Sequence, residues 1–281
     1  MYDWDIQLLF LATNFAKNIV MESCGERYFK ALRELLFPEY CYACGRELSK
    51  GENVLCKSCF EEFPLTYFWS WHNNPGLTRL LENCAIENFY SLFFYTHDSD
   101  YKNLIHSFKY QGDTRVGLEL AKWLGEYIAN DENFPGFDAI IPIPLHFYKH
   151  WKRGYNQSEV IAKGISQKMG DIPVLKNILV RTRYTTTQTH LSDRERVENV
   201  RGVFKVVKRI SDDINRHSSS CQIVKSNKEL CSDTLNNREL KHILLVDDVL
   251  TTGSTILSAL TAIYRQRDIK VSVATLGFAD Y

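Results

Sequence analysis

Residues 242–255 read His242-Ile-Leu-Leu-Val-Asp247-Asp248-Val-Leu-Thr251-Thr252-Gly253-Ser254-Thr255. The apolar run predicts a buried strand over His242–Asp248, ending in two carboxylates. A short loop of hydroxyls with one glycine follows, and a helix is predicted over Ser254–Arg265. Each feature suits a sugar phosphate. Gly253 lets the backbone come close to a ligand. The N–H groups of Thr252 to Thr255 face the helix entrance, where the helix dipole favours an anion. The hydroxyls of Thr251, Thr252, Ser254 and Thr255 add donors. Asp247 and Asp248 are negative and do not hold that anion; they suit vicinal ribose hydroxyls or a hydrated Mg²⁺. An Asp-Asp pair after a strand is by itself a turn and an N-cap. The adjoining TTGST loop is what makes it a ligand site.

Outward from this element the pattern alternates. Ile86–Tyr95 and Lys270–Phe278 read as strands, as do Asp138–Pro144 and Val203–Val207. Asp98–Tyr110, Val116–Ala129 and Asn156–Met169 read as helices, with Gly112-Asp113 as a turn. Apolar strands alternating with helices predict an α/β fold: a parallel sheet with helices on both faces and ligands at the carboxyl ends of its strands.

Ahead of this lies a small cysteine-rich unit. Cys41-Tyr-Ala-Cys44-Gly45 is followed by Cys56-Lys-Ser-Cys59. Two CxxC turns can aim four thiolates at one ion, a closed tetrahedral site of the kind that holds structural Zn²⁺. The unit is too short to fold on apolar burial alone, so a metal is physically needed. Four thiolates leave no open position for catalysis. Cys24, Cys84, Cys221 and Cys231 have no partners at metal spacing.

Composition sets the outer bounds. The 281 residues suggest about two domains. Lys and Arg number 34 and so do Asp and Glu, so any attraction for polyanions is local. An apolar fraction of 44% fits a folded chain. No apolar run reaches the roughly 18–20 residues that cross a bilayer. Asp3 and Asp5 stand where a secretory signal carries positive charge. A cytoplasmic protein without membrane insertion is expected. Met21 opens a tidier helical pattern than Met1 does, so 1–20 reads either as a misread extension or as an ordinary N-terminal helix. Arg209–Leu240 holds six Ser, four Asn and ten charged residues with no aromatic, and reads as a disordered surface insertion.

Two further loops flank the predicted site. After Ile141-Pro-Ile-Pro144 comes a basic loop with Lys149, Lys152, Arg153 and Gly154, which supplies the charge a pyrophosphate requires. Tyr148, Trp151 and Tyr155 interleave with it, a pattern that also suits single-stranded nucleic acid. A solvated basic turn anchored by aromatics is the plainer alternative. Arg181–Arg201 is polar and hydroxyl-rich. Thr189, Arg194 and Arg196 are candidate phosphate or partner contacts there, and Ser192-Asp-Arg-Glu195 reads equally as a capping box on a solvated helix.

The 242–255 element closely resembles the phosphoribosyl pyrophosphate (PRPP) motif of type I phosphoribosyltransferases. With the cysteine quartet, CYACG, LCKSCF, the IPIPLH…KRGYNQS block and TQTHLSDRERVENV, the chain resembles the ComF family of competence-associated proteins from about Phe37 to Tyr281. That resemblance implies a zinc ribbon followed by a phosphoribosyltransferase-like domain. The expected layout is a helical segment 1–38, the ribbon 39–66, a connecting segment 67–97, and the domain 98–281 interrupted by 209–240. By position, Asp247 and Asp248 take the ribose hydroxyls and act as the catalytic pair. Thr251, Thr252, Gly253, Ser254 and Thr255 take the 5′-phosphate, and Lys149 and Arg153 the pyrophosphate. Arg181–Arg201 takes the place of the family's flexible hood. Two departures stand out: His190 in the TQT stretch, and the length of the 209–240 insertion.

Two functions follow from the resemblance. One is a PRPP-binding component of DNA uptake and natural competence, with single-stranded DNA and competence machinery as partners. The other is an active transferase in nucleotide salvage, in which a nitrogen nucleophile displaces pyrophosphate from Mg-bound PRPP. The cofactors implied are structural Zn²⁺ and Mg²⁺ carried with PRPP.

Overall fold

The computed structural model describes residues 38–132, 134–145, 151, 153–182, 203–207, 240–265 and 269–279. The expected N-terminal helical segment, most of the expected hood and nearly all of the expected insertion lie outside the described residues, as do Lys149 and Lys152. The chain divides into two compact units, one ending at Glu61 and the other beginning at Glu62.

In the smaller unit, Tyr40 and Glu47 form an antiparallel bridge. The turn between them closes with Cys41 N–H on the Arg46 carbonyl at 2.7 Å and Gly45 N–H on the Cys41 carbonyl at 2.9 Å. The second half is tied to it by Tyr42 N–H on the Val54 carbonyl at 3.1 Å. Helix α1 (Lys57–Glu61) follows. Glu52 accepts the N–H groups of Ser49 (2.7 Å) and Lys57 (2.6 Å), which pins the loop to the start of α1. Those two N–H groups hold its carboxyl below the usual range.

Among the described residues, the larger unit is built on four parallel strands: β1 (Phe89–Phe94), β2 (Ala139–Pro142), β5 (His242–Leu250) and β6 (Lys270–Phe278). Their order is β1-β6-β5-β2. The helices are α2 (Pro75–Leu81), α3 (Lys102–Tyr110), α4 (Thr114–Ala129), α5 (Gln157–Lys168) and α6 (Ser254–Tyr264). Strand alternation divides the core. Ala139, Ile141, Ile243, Leu245, Val271 and Val273 cluster with Leu77 and Leu80 of α2 and with Ile256, Leu260 and Ile263 of α6. Helix α4 packs against β1 and β6, and α5 against β2 and β5. These two helices also pack on each other, with Gly164 at the contact. A Cβ there would meet the Ala121 Cβ at 2.5 Å, so only glycine permits the approach.

Local chemistry sets the helix starts. Asn74 caps α2 through its Oδ1 on Leu77 N–H at 2.9 Å, and its Nδ2 donates to the Phe89 carbonyl of β1 at 2.9 Å. Asp113 caps α4 by accepting Arg115 N–H at 3.1 Å. Residues 67–97 therefore contribute α2 and β1 to the larger unit.

The α/β architecture with a helix-flanked parallel sheet agrees with the sequence, and two details of the strands differ. The predicted strand over Val203–Val207 is β4 (Phe204–Val206), and it does not join the parallel sheet. It pairs antiparallel with β3 (Leu179–Arg181), a strand the pattern did not reveal, as a separate two-stranded sheet. Three residues give too short a pattern to register. The other difference is the end of β5. It runs past Asp248 to Leu250, because Val249 and Leu250 still pair with Gly277 and Phe278 of β6.

Candidate functional site

Asp247 and Asp248 lie near the carboxyl end of β5, within its pairing to β6. Asp247 Oδ1 accepts the Asp248 N–H at 3.0 Å and the Ser158 hydroxyl at 3.2 Å. Asp248 Oδ1 accepts Val249 N–H at 2.7 Å. Its Oδ2 lies 2.8 Å from the Lys109 ammonium at the end of α3. Burial, and then the neighbouring Asp248 charge, push the Asp247 carboxyl up to about 7. The Asp248 N–H, Lys109 and the Ser158 hydroxyl act in the opposite direction. For Lys109, burial works against the ammonium, but the Asp248 and Asp247 carboxylates outweigh it and hold its pKa above the ordinary value.

The loop 251–253 leaves β5 and enters α6. Gly253 is the N-cap, with φ 78°, a left-handed conformation that glycine adopts without strain. Thr251 and Thr252 are exposed, and Ser254 and Thr255 are half-buried at the first turn of α6. The Thr252 hydroxyl donates to the Ser254 hydroxyl at 3.3 Å. From α2, Arg79 Nη1 donates to the Thr251 carbonyl at 2.9 Å and to the Ala279 carbonyl at 2.8 Å. Its guanidinium lies 4.6 Å from the Phe278 ring centre. The departing ends of β5 and β6 are thus tied by one side chain.

The loop after β2 reaches the same edge of the sheet. Asn156 caps α5, accepting Ser158 N–H at 3.2 Å while its Nδ2 donates to the Ile143 carbonyl at 3.1 Å. Arg153 donates to Gln157 Oε1 at 3.1 Å and lies 5.3 Å over the Tyr110 ring. Tyr155 donates its hydroxyl to the Phe108 carbonyl, so the end of α3 is fastened to this loop. Trp151 is 75% exposed and Tyr110 is 64% exposed.

The four cysteines of the smaller unit converge. The sulfurs of Cys41, Cys44, Cys56 and Cys59 all lie within 4.8 Å of one another, and Cys44 and Cys56 are 3.7 Å apart. A tetrahedral ion with metal–sulfur bonds of about 2.3 Å separates its sulfurs by roughly 3.8 Å, so the group can hold such an ion. Cys56 N–H donates to Cys41 Sγ at 3.4 Å. Burial opposes the Cys41 thiolate, yet the N–H groups of Cys44, Cys56 and Ala43 bring its pKa down to about 7. Burial and the neighbouring sulfurs push Cys59 up. Sulfurs packed this closely need a cation before all four can be thiolates.

The structure therefore brings Asp247, Asp248, Thr251, Thr252, Gly253, Ser254 and Thr255 together on consecutive turns, and sets Arg153 on the neighbouring loop. Three site residues were not read from sequence. Ser158 sits in the GYNQS stretch, where it looks like an ordinary first-turn serine. Lys109 is the basic residue that ends an amphipathic helix. Arg79 belongs to a seven-residue helix whose start signal, Asn74 followed by Pro75, went unread in the sequence. Each reaches the site across a tertiary contact that no local pattern encodes.

An α/β sheet flanked by helices, with a Cys₄ cluster nearer the N-terminus, defines the class of protein. No protein-family model matches the chain. It is 28% identical to Competence protein F of Haemophilus influenzae over 86% of this chain and 83% of that protein. It is 28% identical to the DNA utilization protein YhgH of Salmonella typhi over 60% of this chain and 63% of that protein, and 25% identical over the same shares to that of Escherichia coli K12. These relatives support the ComF family for this chain, and the four-cysteine cluster is consistent with it. No helix among the described residues is long and apolar enough to cross a membrane.

Proposed function

We propose that the chain is a PRPP-binding protein of the ComF type, acting in the uptake and use of DNA. The observation that carries this reading is the pair Asp247 and Asp248 near the end of a central parallel strand, followed at once by a loop that turns through Gly253 into the start of α6. Adjacent carboxylates are acceptors for vicinal ribose hydroxyls. The N–H groups and hydroxyls of 252–255 are donors for a 5′-phosphate, where the helix dipole favours an anion. Arg153 adds a fixed positive charge for the pyrophosphate, with Lys149 as its partner from the same loop. The competence and DNA utilization names of the relatives support the cellular role. Exposed Trp151 and Tyr110 with Arg153 over the latter suit the bases and backbone of single-stranded DNA.

Zinc is the ion proposed for the four cysteines, in a structural role. The Mg²⁺ expected with PRPP does not fit the acidic pair as it stands, because Lys109 already neutralises Asp248.

Calorimetric titration with PRPP tests the reading. The double variant Asp247→Asn, Asp248→Asn loses charge-assisted hydrogen bonds worth roughly 1.5–3 kcal/mol each and is expected to bind PRPP at least tenfold more weakly. Unchanged affinity refutes the assignment. Pyrophosphate release from Mg-bound PRPP in the presence of a base would identify the site as that of a working transferase.

A further inference from the structure

We propose that Lys109 is the resident counter-ion of the Asp247–Asp248 pair, a positioning residue that aims Asp248 and keeps a free divalent cation out of the site; its functional meaning rests on reading that pair as the ribose site. Three of the four carboxylate oxygens already have partners. Asp247 Oδ1 takes the Asp248 N–H and the Ser158 hydroxyl, Asp248 Oδ1 takes the Val249 N–H, and Asp248 Oδ2 faces Lys109 Nζ at 2.8 Å. The Lys109 and Asp248 side chains are only 20% and 18% exposed, so the pair is poorly screened by solvent.

The ammonium is held in place from both sides of its helix. Phe108 beside it is fully buried, and the Tyr155 hydroxyl bonds the Phe108 carbonyl. Tyr110 on the other side lies under the Arg153 guanidinium. The α3 terminus is thereby fixed against the loop that follows β2. Lys109 then compensates the Asp248 carboxylate, while Arg153 sits on the neighbouring loop, bonded to Gln157 and over the Tyr110 ring. A hard dication needs several oxygen ligands with uncompensated charge. Here it would have to displace an ammonium from a packed helix end and then sit beside it. The cluster instead offers acceptors to neutral sugar hydroxyls and supplies its own positive charge next to the phosphates.

Mn²⁺ tests this, as an ion that prefers carboxylate oxygen over thiolate. Its binding is followed by electron paramagnetic resonance on the full chain, compared among wild type, Lys109→Met, Lys109→Arg and Lys109→Met combined with Asp248→Asn. The wild type and Lys109→Arg are expected to show no saturable Mn²⁺ site at millimolar ion. Lys109→Met should gain one at least tenfold tighter, lost again with Asp248→Asn. Equal Mn²⁺ affinity in wild type and Lys109→Met overturns the proposal. Should Lys109→Met not fold, the wild type alone decides: a saturable site abolished by the single change Asp248→Asn overturns the proposal, and indifference to that change supports it. PRPP titrated into the wild type with Mg²⁺ and with a chelator separates the two readings. No PRPP binding in either condition refutes the ribose site, while the Mn²⁺ comparison still decides the role of Lys109.

Discussion

The Ser158 hydroxyl donates to Asp247 Oδ1 at 3.2 Å, joining the first turn of α5 to the end of β5. This contact brings two strand–helix crossovers to a common point, where the hydroxyl favours the ionised form of a half-buried carboxyl. Ser158→Ala removes one of them. The Asp247 carboxyl should then titrate higher still, which carboxyl ¹³C chemical shifts measure directly. An unchanged or lower titration midpoint contradicts the role.

The raised Asp247 pKa also makes stability depend on pH. Its ordinary value is 3.8, and in the folded chain it rises to about 7. The native state therefore prefers the protonated form. Its contribution to stability is complete below about pH 4 and lost as pH rises through about 7. Asp247→Asn removes this dependence. Between pH 5 and 8 the wild type should lose on the order of 2 kcal/mol relative to that variant, or roughly 4–8 °C of melting temperature. PRPP binding should move the opposite way and tighten as the carboxylate ionises. Parallel melting curves for the two proteins across this range would rule out the burial effect.

Arg79 ties the carbonyls of Thr251 and Ala279 and lies over Phe278. Arg79→Ala leaves two carbonyls without their charged donor and should cost about 1–3 kcal/mol in urea unfolding. PRPP affinity should fall severalfold, because the 251–253 loop loses its brace. Arg79→Lys should recover only part, since an ammonium can donate to both carbonyls as Nη1 does but lacks the planar guanidinium that stacks on the Phe278 ring. Full recovery in the lysine variant would show that charge alone matters.

Gly253 holds a φ of 78° and faces Leu80, whose Cδ2 would lie 3.0 Å from an added Cβ. Gly253→Ala should cost about 1–2 kcal/mol through the left-handed conformation alone. The same strain displaces the amides that open α6, so PRPP binding should weaken more than stability does. Circular dichroism melts and PRPP titration on one preparation separate the two effects.

The four converging sulfurs predict about one Zn²⁺ per chain. Cys56→Ser removes a buried ligand while keeping the backbone N–H that donates to Cys41 Sγ, and should abolish stoichiometric zinc and unfold the unit around it. Elemental analysis with full zinc in that variant defeats the prediction.

The cysteine quartet and the VDDVLTTGST element were legible in sequence because their chemistry is local. A CxxC turn or a strand–carboxylate–glycine–helix passage is specified within a few neighbouring residues. The alternation of apolar strands with amphipathic helices likewise fixed the fold class, since a parallel strand buried on both faces must read as a continuous apolar run. The tertiary structure decided what lies beside Asp247 and Asp248. Lys109 is on α3, Ser158 on α5 and Arg79 on α2, and no local pattern assigns any of them a place beside the carboxylate pair. Their roles arise from where packing sets three helix termini around one end of the sheet. The separate β3–β4 sheet follows the same logic. Val203–Val207 reads as a strand in the sequence, but β3 is too short for a pattern, and only folding shows that β4 pairs with it and not with the parallel sheet. Local chemistry is written in neighbouring residues. The electrostatic balance of a site is set by residues that only folding makes neighbours.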